Sequence, residues 1–169
     1  MIFLTVGSTQ PFDRLVRLID ETVADSIIEA KVFAQIGRGR YVPQRIECAR
    51  FLGKQQYDEY FDKASAIISH AGIGTISCAL KLNKPILVMP RQKVMHEHVD
   101  DHQLMTAEKF AALGHVLTFS DRSELMQQIA CLDTFRPSER RPNVEGIANV
   151  IGDYLTRLVA IDGDDQEFV

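Results

Sequence analysis

The chain has 169 residues, 46% hydrophobic and 25% charged, values usual for a globular protein and a length that fits one well-packed domain rather than two full α/β domains. A formal net charge of -4 argues against a general nucleic-acid binder, which carries a basic footprint. Cys48, Cys78 and Cys131 are odd in number and widely spaced, which gives no disulfide framework or paired metal motif and fits a reducing cytoplasm.

Ile2 to Val6 is a short apolar run that ends in Gly7-Ser8-Thr9. It is too short for a membrane span, lacks the basic flank of a signal peptide, and predicts a buried strand. Phe12, Leu15, Val16, Ile19 and Val23 recur at helical spacing. Lys31 to Ile36 predicts a second strand closed by Gly37 and Gly39, and Ile46 to Leu52 a third, followed by a short helix near Tyr57 to Lys63. Ala64 to Ser69 predicts a fourth strand; His70 to Thr75 turns the chain, and Ile76, Ala79 and Leu80 begin a helix.

Lys84 to Pro90 predicts a fifth strand with its prolines at the ends, where no central ladder bond is lost. A helix over Asp101 to Leu113 and a strand at His115 to Phe119 follow. Asp121 and Glu124 have capping-box spacing ahead of Leu125, Ile129 and Leu132. Val144, Ile147, Ala148, Ile151, Leu155 and Leu158 mark a last helix, and the acidic run from Asp162 to Glu167 a frayed tail. The expected organisation is one domain over residues 1–160 and a tail over 161–169.

Near-continuous apolar strands alternating with helices indicate a Rossmann-like α/β domain, a parallel sheet with helices on both faces. Ligands of such sheets bind beyond the carboxyl ends of the strands. Three segments there carry unusual chemistry. Gly7-Ser8-Thr9-Gln10 combines a glycine with hydroxyl donors at a helix start, which suits an anion; a capped turn is the alternative. Ser69-His70-Ala71-Gly72-Ile73-Gly74-Thr75 has two glycines and a threonine in the same setting. It lacks the third glycine and the later acidic residue of a dinucleotide fingerprint, and the Gly-Lys-Ser/Thr ending of a P-loop, so a diphosphate fits better than NAD or ATP.

Met95 to Gln103 holds His96, Glu97, His98, Asp100, Asp101 and His102. Their spacing matches no standard metal-ligand pattern, and the two aspartates also suit a helix N-terminus. His102 and Gln103 then fall in the opening turn as partners for ligand hydroxyls. Gly37-Arg38-Gly39-Arg40 reads as a solvated turn, with positive charge offered to a phosphate as the alternative, and Arg136, Arg140 and Arg141 as a basic cluster for an anionic lipid or a partner.

The segments Ser69 to Thr75, Asn83 to Pro90 and Asp101-His102-Gln103, with the opening Phe3 to Leu15, resemble the C-terminal domain of glycosyltransferase family 28 over residues 1 to 155. The likeness is closest to the small subunits of two-component transferases, those of dolichol-pathway UDP-GlcNAc transfer and of bacterial exopolysaccharide synthesis. It implies the C-terminal half of a GT-B fold that binds a UDP-sugar and needs no cofactor or metal. It also implies a membrane-associated partner subunit that binds a lipid-linked acceptor, and a cytoplasmic chain held to the inner membrane face only through that partner. Substrate-binding residues would be Gly7, Ser8, Thr9, Ser69, Ala71, Gly72, Ile73, Gly74, Thr75, His102 and Gln103.

Larger members carry a ribose-binding carboxylate where this chain has Ser77 and Cys78. His70 is the candidate catalytic base for inverting transfer, with a packing role as its alternative and the base then lying on the partner. A non-catalytic nucleotide-binding scaffold would use the same glycine loop. An epimerase would need a second half-domain.

Overall fold

The first strand, β1 (Ile2–Thr5), is buried at all four positions and lies in the middle of the sheet. Residues 1–139 are described by the computed structural model. The expected last helix, Arg140, Arg141 and the acidic tail lie outside them. After β1 come α1 (Asp13–Ala24), β2 (Val32–Gln35), β3 (Glu47–Ala49), α2 (Lys54–Lys63), β4 (Ala66–His70) and α3 (Ile73–Lys81). The chain continues through β5 (Ile86–Met89), a 3-10 turn at Lys93–Met95, α4 (His102–Ala112), β6 (Leu117–Thr118) and α5 (Arg122–Leu132).

All pairings are parallel, in the order β3-β2-β1-β4-β5-β6. Because side chains alternate across a strand, each central strand feeds two cores. Ile2, Leu4, Leu87 and Met89 point toward α1 and α5, meeting Leu15, Val16, Ile19, Leu125 and Leu132. Phe3, Ile67, Ile86 and Val88 point the other way, toward Phe61 of α2, Ile76 of α3 and Ala107 of α4. The second core is rich in aromatics: Phe3 sits edge-on to Tyr57 at 5.4 Å and to Phe61 at 6.1 Å, and Phe33 stacks on Tyr60 at 3.8 Å. This is a doubly wound Rossmann-like sheet, as the alternation of elements predicts.

Several boundaries differ from expectation. The third strand is three residues long, since it is an edge strand paired only with β2, and Gly53 already starts α2. Helix α2 begins at Lys54 rather than near Tyr57, a start the sequence hides because the first turn is polar and offers no apolar period to read. The fourth strand runs on to His70, and α3 starts at Ile73, so Gly74 and Thr75 belong to its first turn. The capping box is half formed. Asp121 accepts from the Glu124 N–H at 2.9 Å, while the Glu124 carboxylate reaches past Asp121 to the Ser120 N–H at 2.7 Å.

Candidate functional site

Neighbouring strands β1 and β4 send their following helices to opposite faces of the sheet, α1 to one and α3 to the other. Their exit loops therefore diverge, and such a switch point leaves a crevice. A cavity of about 440 Å³ opens there. One wall is Gly7, Ser8, Thr9 and Gln10, the floor is His70, Gly72, Gly74 and Thr75, and the far wall is Arg91, His98, His102 and Gln103.

Nine of the twelve residues expected from sequence thus line one cavity: Gly7, Ser8, Thr9, His70, Gly72, Gly74, Thr75, His102 and Gln103. The other three lie outside its lining. Ser69 is fully buried in β4, Ala71 packs into the second core, and the Ile73 side chain is 60% exposed. Strand alternation turns Ser69 inward, and helix geometry swings Ile73 to the outside.

The first turn of α3 supplies donors. Gly72 precedes it in an extended conformation, and no side chain caps the helix. The N–H groups of Ile73, Gly74 and Thr75 have no protein acceptor among the described residues, as is usual for the first turn of an uncapped helix. They carry the positive end of the helix dipole. Glycine is required at position 72, because a Cβ there would overlap the His70 ring. Gly7 has φ +74, a backbone conformation that other residues rarely adopt.

His70 has a fixed tautomer. The Ser69 hydroxyl has one hydrogen and donates it to the Thr5 carbonyl at 2.8 Å. The 3.1 Å contact between Ser69 Oγ and His70 Nδ1 must therefore run from ring to hydroxyl. Burial, and next the Arg91 charge, lower the His70 pKa to about 4. The ring is neutral at physiological pH, with Nδ1 protonated and Nε2 left as an acceptor.

Arg91 follows β5 and is only 2% exposed. Its Nη2 donates to the Val6 and Gln10 carbonyls at 2.7 and 2.8 Å, and its Nε to Pro11 at 3.3 Å, while the guanidinium lies 4.8 Å over the Phe12 ring. The Arg91 N–H donates to Gln103 Oε1 at 3.1 Å. Burial lowers the guanidinium pKa to about 10, so it stays charged at neutral pH. Arg91 is the polar lining residue that sequence reasoning missed, whereas Gln10 and His98 lie in segments singled out there without being assigned a contact. The signal for Arg91 was position alone, since it follows a parallel strand on the binding edge of the sheet.

At the mouth, Asp100 accepts from the His102 N–H at 3.1 Å and meets Nδ1 of both His98, at 3.1 Å, and His102. These hydrogen bonds, His102 first, hold the Asp100 carboxyl below its ordinary range. The three ligand atoms lie within 4.8 Å of one another, a grouping a metal could use. Shared hydrogen bonding and the capping of α4 account for it without one. Glu97 and His96 are not in the trio. Gly37 to Arg40 is a structural turn, held by Asp13, which accepts from the Arg40 and Tyr41 N–H groups at 3.1 and 3.2 Å. Arg136 donates to the Asp133 and Phe135 carbonyls at the end of α5.

No carboxylate lines the cavity among the described residues. Amide donors, hydroxyls, neutral imidazole and a buried guanidinium make it complementary to an anion that also carries hydroxyl groups.

Comparison with known proteins places the chain in a family and a fold. A family model described as glycosyltransferase family 28 C-terminal domain matches residues 1–149. The UDP-N-acetylglucosamine transferase subunit ALG13 of Homo sapiens is 32% identical over 124 residues, 68% of this chain and 10% of that protein. The ALG13 subunit of Candida albicans is 37% identical over 125 residues, 73% of this chain and 40% of that protein. The chain therefore spans well under two thirds of either relative. Among solved structures, the solution structure of ALG13 has a TM-score of 0.58 at 22% identity, covering 86% of this chain and 93% of that one. The glycotransferase of kitacinnamycin has a TM-score of 0.58 at 19% identity, with 79% and 34% covered. MurG of Acinetobacter baumannii has a TM-score of 0.52 at 18% identity, with 77% and 40% covered. These structures share the fold, and two of them are matched over 34% and 40% of their own length, a single domain of the larger chain.

Proposed function

Since this chain belongs to the glycosyltransferase family 28 C-terminal domain family, we propose that it is the UDP-sugar-binding subunit of an inverting glycosyltransferase whose acceptor half is a separate protein. The observation that carries this reading is the carboxylate-free cavity at the sheet's switch point, set against the open amides of α3. A diphosphate is the ligand group that such donors suit best.

In this reading the diphosphate meets the first turn of α3, the Thr75 hydroxyl and the Gly7 to Thr9 loop. The sugar faces His102 and the Gln103 carboxamide, whose Nε2 has no protein partner among the described residues. The acceptor hydroxyl attacks the anomeric carbon in line, the bond to the diphosphate breaks, and the departing negative charge falls on groups already oriented for it. The hydroxyl's proton must go to a base. His70, with a pKa of about 4, is a poor match for that task near neutral pH. We assign it instead the role of accepting a ligand hydroxyl at Nε2, and assign the base to the partner.

Lipid-linked acceptors, exopolysaccharide or glycolipid synthesis, and a cytoplasmic location at the inner membrane face through the partner complete the proposal. Among the described residues no helix is long and apolar enough to cross a membrane. Val94, Val99, Met105 and Ile73, all 60% exposed or more, lie at the same edge of the sheet and suit a surface that a partner covers. Of Ser77 and Cys78, which stand where larger family members carry the ribose carboxylate, Cys78 packs into the second core.

Calorimetric titration with UDP-N-acetylglucosamine, the donor named for the relatives, and with GDP-mannose tests the binding half. Saturable uptake of the UDP-sugar and none of the GDP-sugar is expected; no uptake of any UDP-sugar sinks the proposal. Transfer should appear only once membranes bearing the partner are added. Uptake without transfer even then would favour a regulatory nucleotide-binding subunit.

A further inference from the structure

Arg91 carries a charge with no direct ion-pair partner among the described residues, and Glu97 acts on it only from a distance. Arg91 is 2% exposed, and among the described residues no carboxylate makes a salt bridge with it. The nearby Glu97 is engaged by Arg14, at 2.7 Å for both prongs. Three carbonyl dipoles take up Nε and Nη2, but carbonyls do not neutralise a cation. Holding a guanidinium out of water without a counter-charge is strongly unfavourable. The remaining amino group, Nη1, has no acceptor among the described residues. Since no sealed side-chain nitrogen there lacks a partner, Nη1 must reach solvent, and the side chain lines the cavity.

We propose that Arg91 is a ligand-contacting residue whose Nη1 binds the diphosphate of the nucleotide sugar, while Nε and Nη2 hold the Gly7 to Pro11 loop in place for the same ligand. The proposal rests on the diphosphate reading above and adds to it the missing counter-charge. One side chain joins three parts of the site: its N–H fixes the Gln103 carboxamide, its Nη2 and Nε fix the loop after β1, and its free prong faces the cavity. A lysine cannot do this, because its single ammonium cannot span the carbonyls and the anion together.

The test compares UDP, uridine and inorganic pyrophosphate on the full chain, by amide NMR titration, for wild type, Arg91→Lys and Arg91→Met. Arg91→Met should weaken UDP about 10- to 100-fold, the range for losing a charge-assisted hydrogen bond. Pyrophosphate should weaken in parallel, and uridine should change less than about 3-fold. Arg91→Lys should show the same asymmetry at smaller size, and carries the test alone if the methionine variant does not fold. Equal losses for UDP and uridine would make Arg91 a scaffold for the loop and overturn the proposal, as would UDP affinity unchanged within about 3-fold. If wild type itself binds neither UDP nor pyrophosphate, the diphosphate reading has failed, and this inference falls with it.

Discussion

Arg14 and Glu97 meet in a two-pronged ion pair, Nε to Oε1 and Nη2 to Oε2, each at 2.7 Å. Arg14 also donates to the Pro90 and Ser120 carbonyls at 3.2 and 3.1 Å, and Glu97 accepts from the Gln92 N–H at 3.1 Å. The pair fastens α1 to the segment between β5 and α4, which carries Arg91, His98 and the start of the Gln103 helix. Side-chain exposures of 22% and 12% put it between a surface pair and a buried one. Glu97→Ala should therefore cost about 2–3 kcal/mol, since it leaves Arg14 and the Gln92 N–H without their partner. Urea denaturation checks this, and a double-mutant cycle with Arg14→Met should return a coupling of about 1–2 kcal/mol.

The neutral His70 makes stability depend on pH. Its folded pKa of about 4 lies below the ordinary 6.5, so between those values the unfolded chain holds more protons than the folded one, and stability rises with pH. The contribution is present above about 6.5, is lost as pH falls, and is gone below about 4. At 1.36 kcal/mol per pKa unit it amounts to about 3 kcal/mol at most. The charged group that faces the ring is Arg91, with His98 contributing less. His70→Asn should flatten the stability curve between pH 6.5 and 4, measured by thermal unfolding at half-unit steps. A variant as acid-sensitive as wild type in that window would show that His70 is not the group responsible.

Gly74 separates folding from binding. A Cβ built on it meets nothing within 4 Å, and it lines the cavity. Gly74→Ala should hold or raise stability by up to about 1 kcal/mol, because alanine is the better helix former. The added methyl occupies ligand space, so UDP-sugar affinity should fall at least about 10-fold. Thermal unfolding and titration on one sample check the opposite signs.

The cysteines should differ in reactivity. Burial pushes the Cys48 and Cys78 thiols above their ordinary pKa, which lowers their thiolate content at neutral pH, and the thiolate is the reactive form. Cys131 is exposed. Limited iodoacetamide at pH 7.5, followed by peptide mass spectrometry, should therefore label Cys131 first. Bound UDP-sugar should leave that order unchanged, since none of the three lines the cavity.

Much of the sheet could be read from sequence because its central strands are buried on both faces. Ile2 to Val6, Ala64 to Ser69 and Lys84 to Pro90 are apolar almost throughout, a pattern that few other settings require. The third strand was harder, since an edge strand with exposed Glu47 lacks that pattern. The start of α3 was obscured because Ile73-Gly74-Thr75 has poor helix propensity. The helix is anchored by buried Ile76 and Ala79, and its first turn extends back over these residues. Arg91 had no local signature at all. The carbonyls it holds lie 80 to 85 residues earlier in the chain, so only the fold brings them to it. The Ser69 hydroxyl shows the opposite effect: at the junction of strand and glycine loop it looked like a ligand contact, but strand alternation turns it toward Thr5.

The exposed Val94, Val99, Met105 and Ile73 have a thermodynamic consequence. Apolar surface that leaves water on association carries a negative heat-capacity change. If the acceptor half covers this edge, the enthalpy of complex formation should grow more exothermic with each rise in temperature, at a slope that replacing Val94 and Val99 with serine makes shallower.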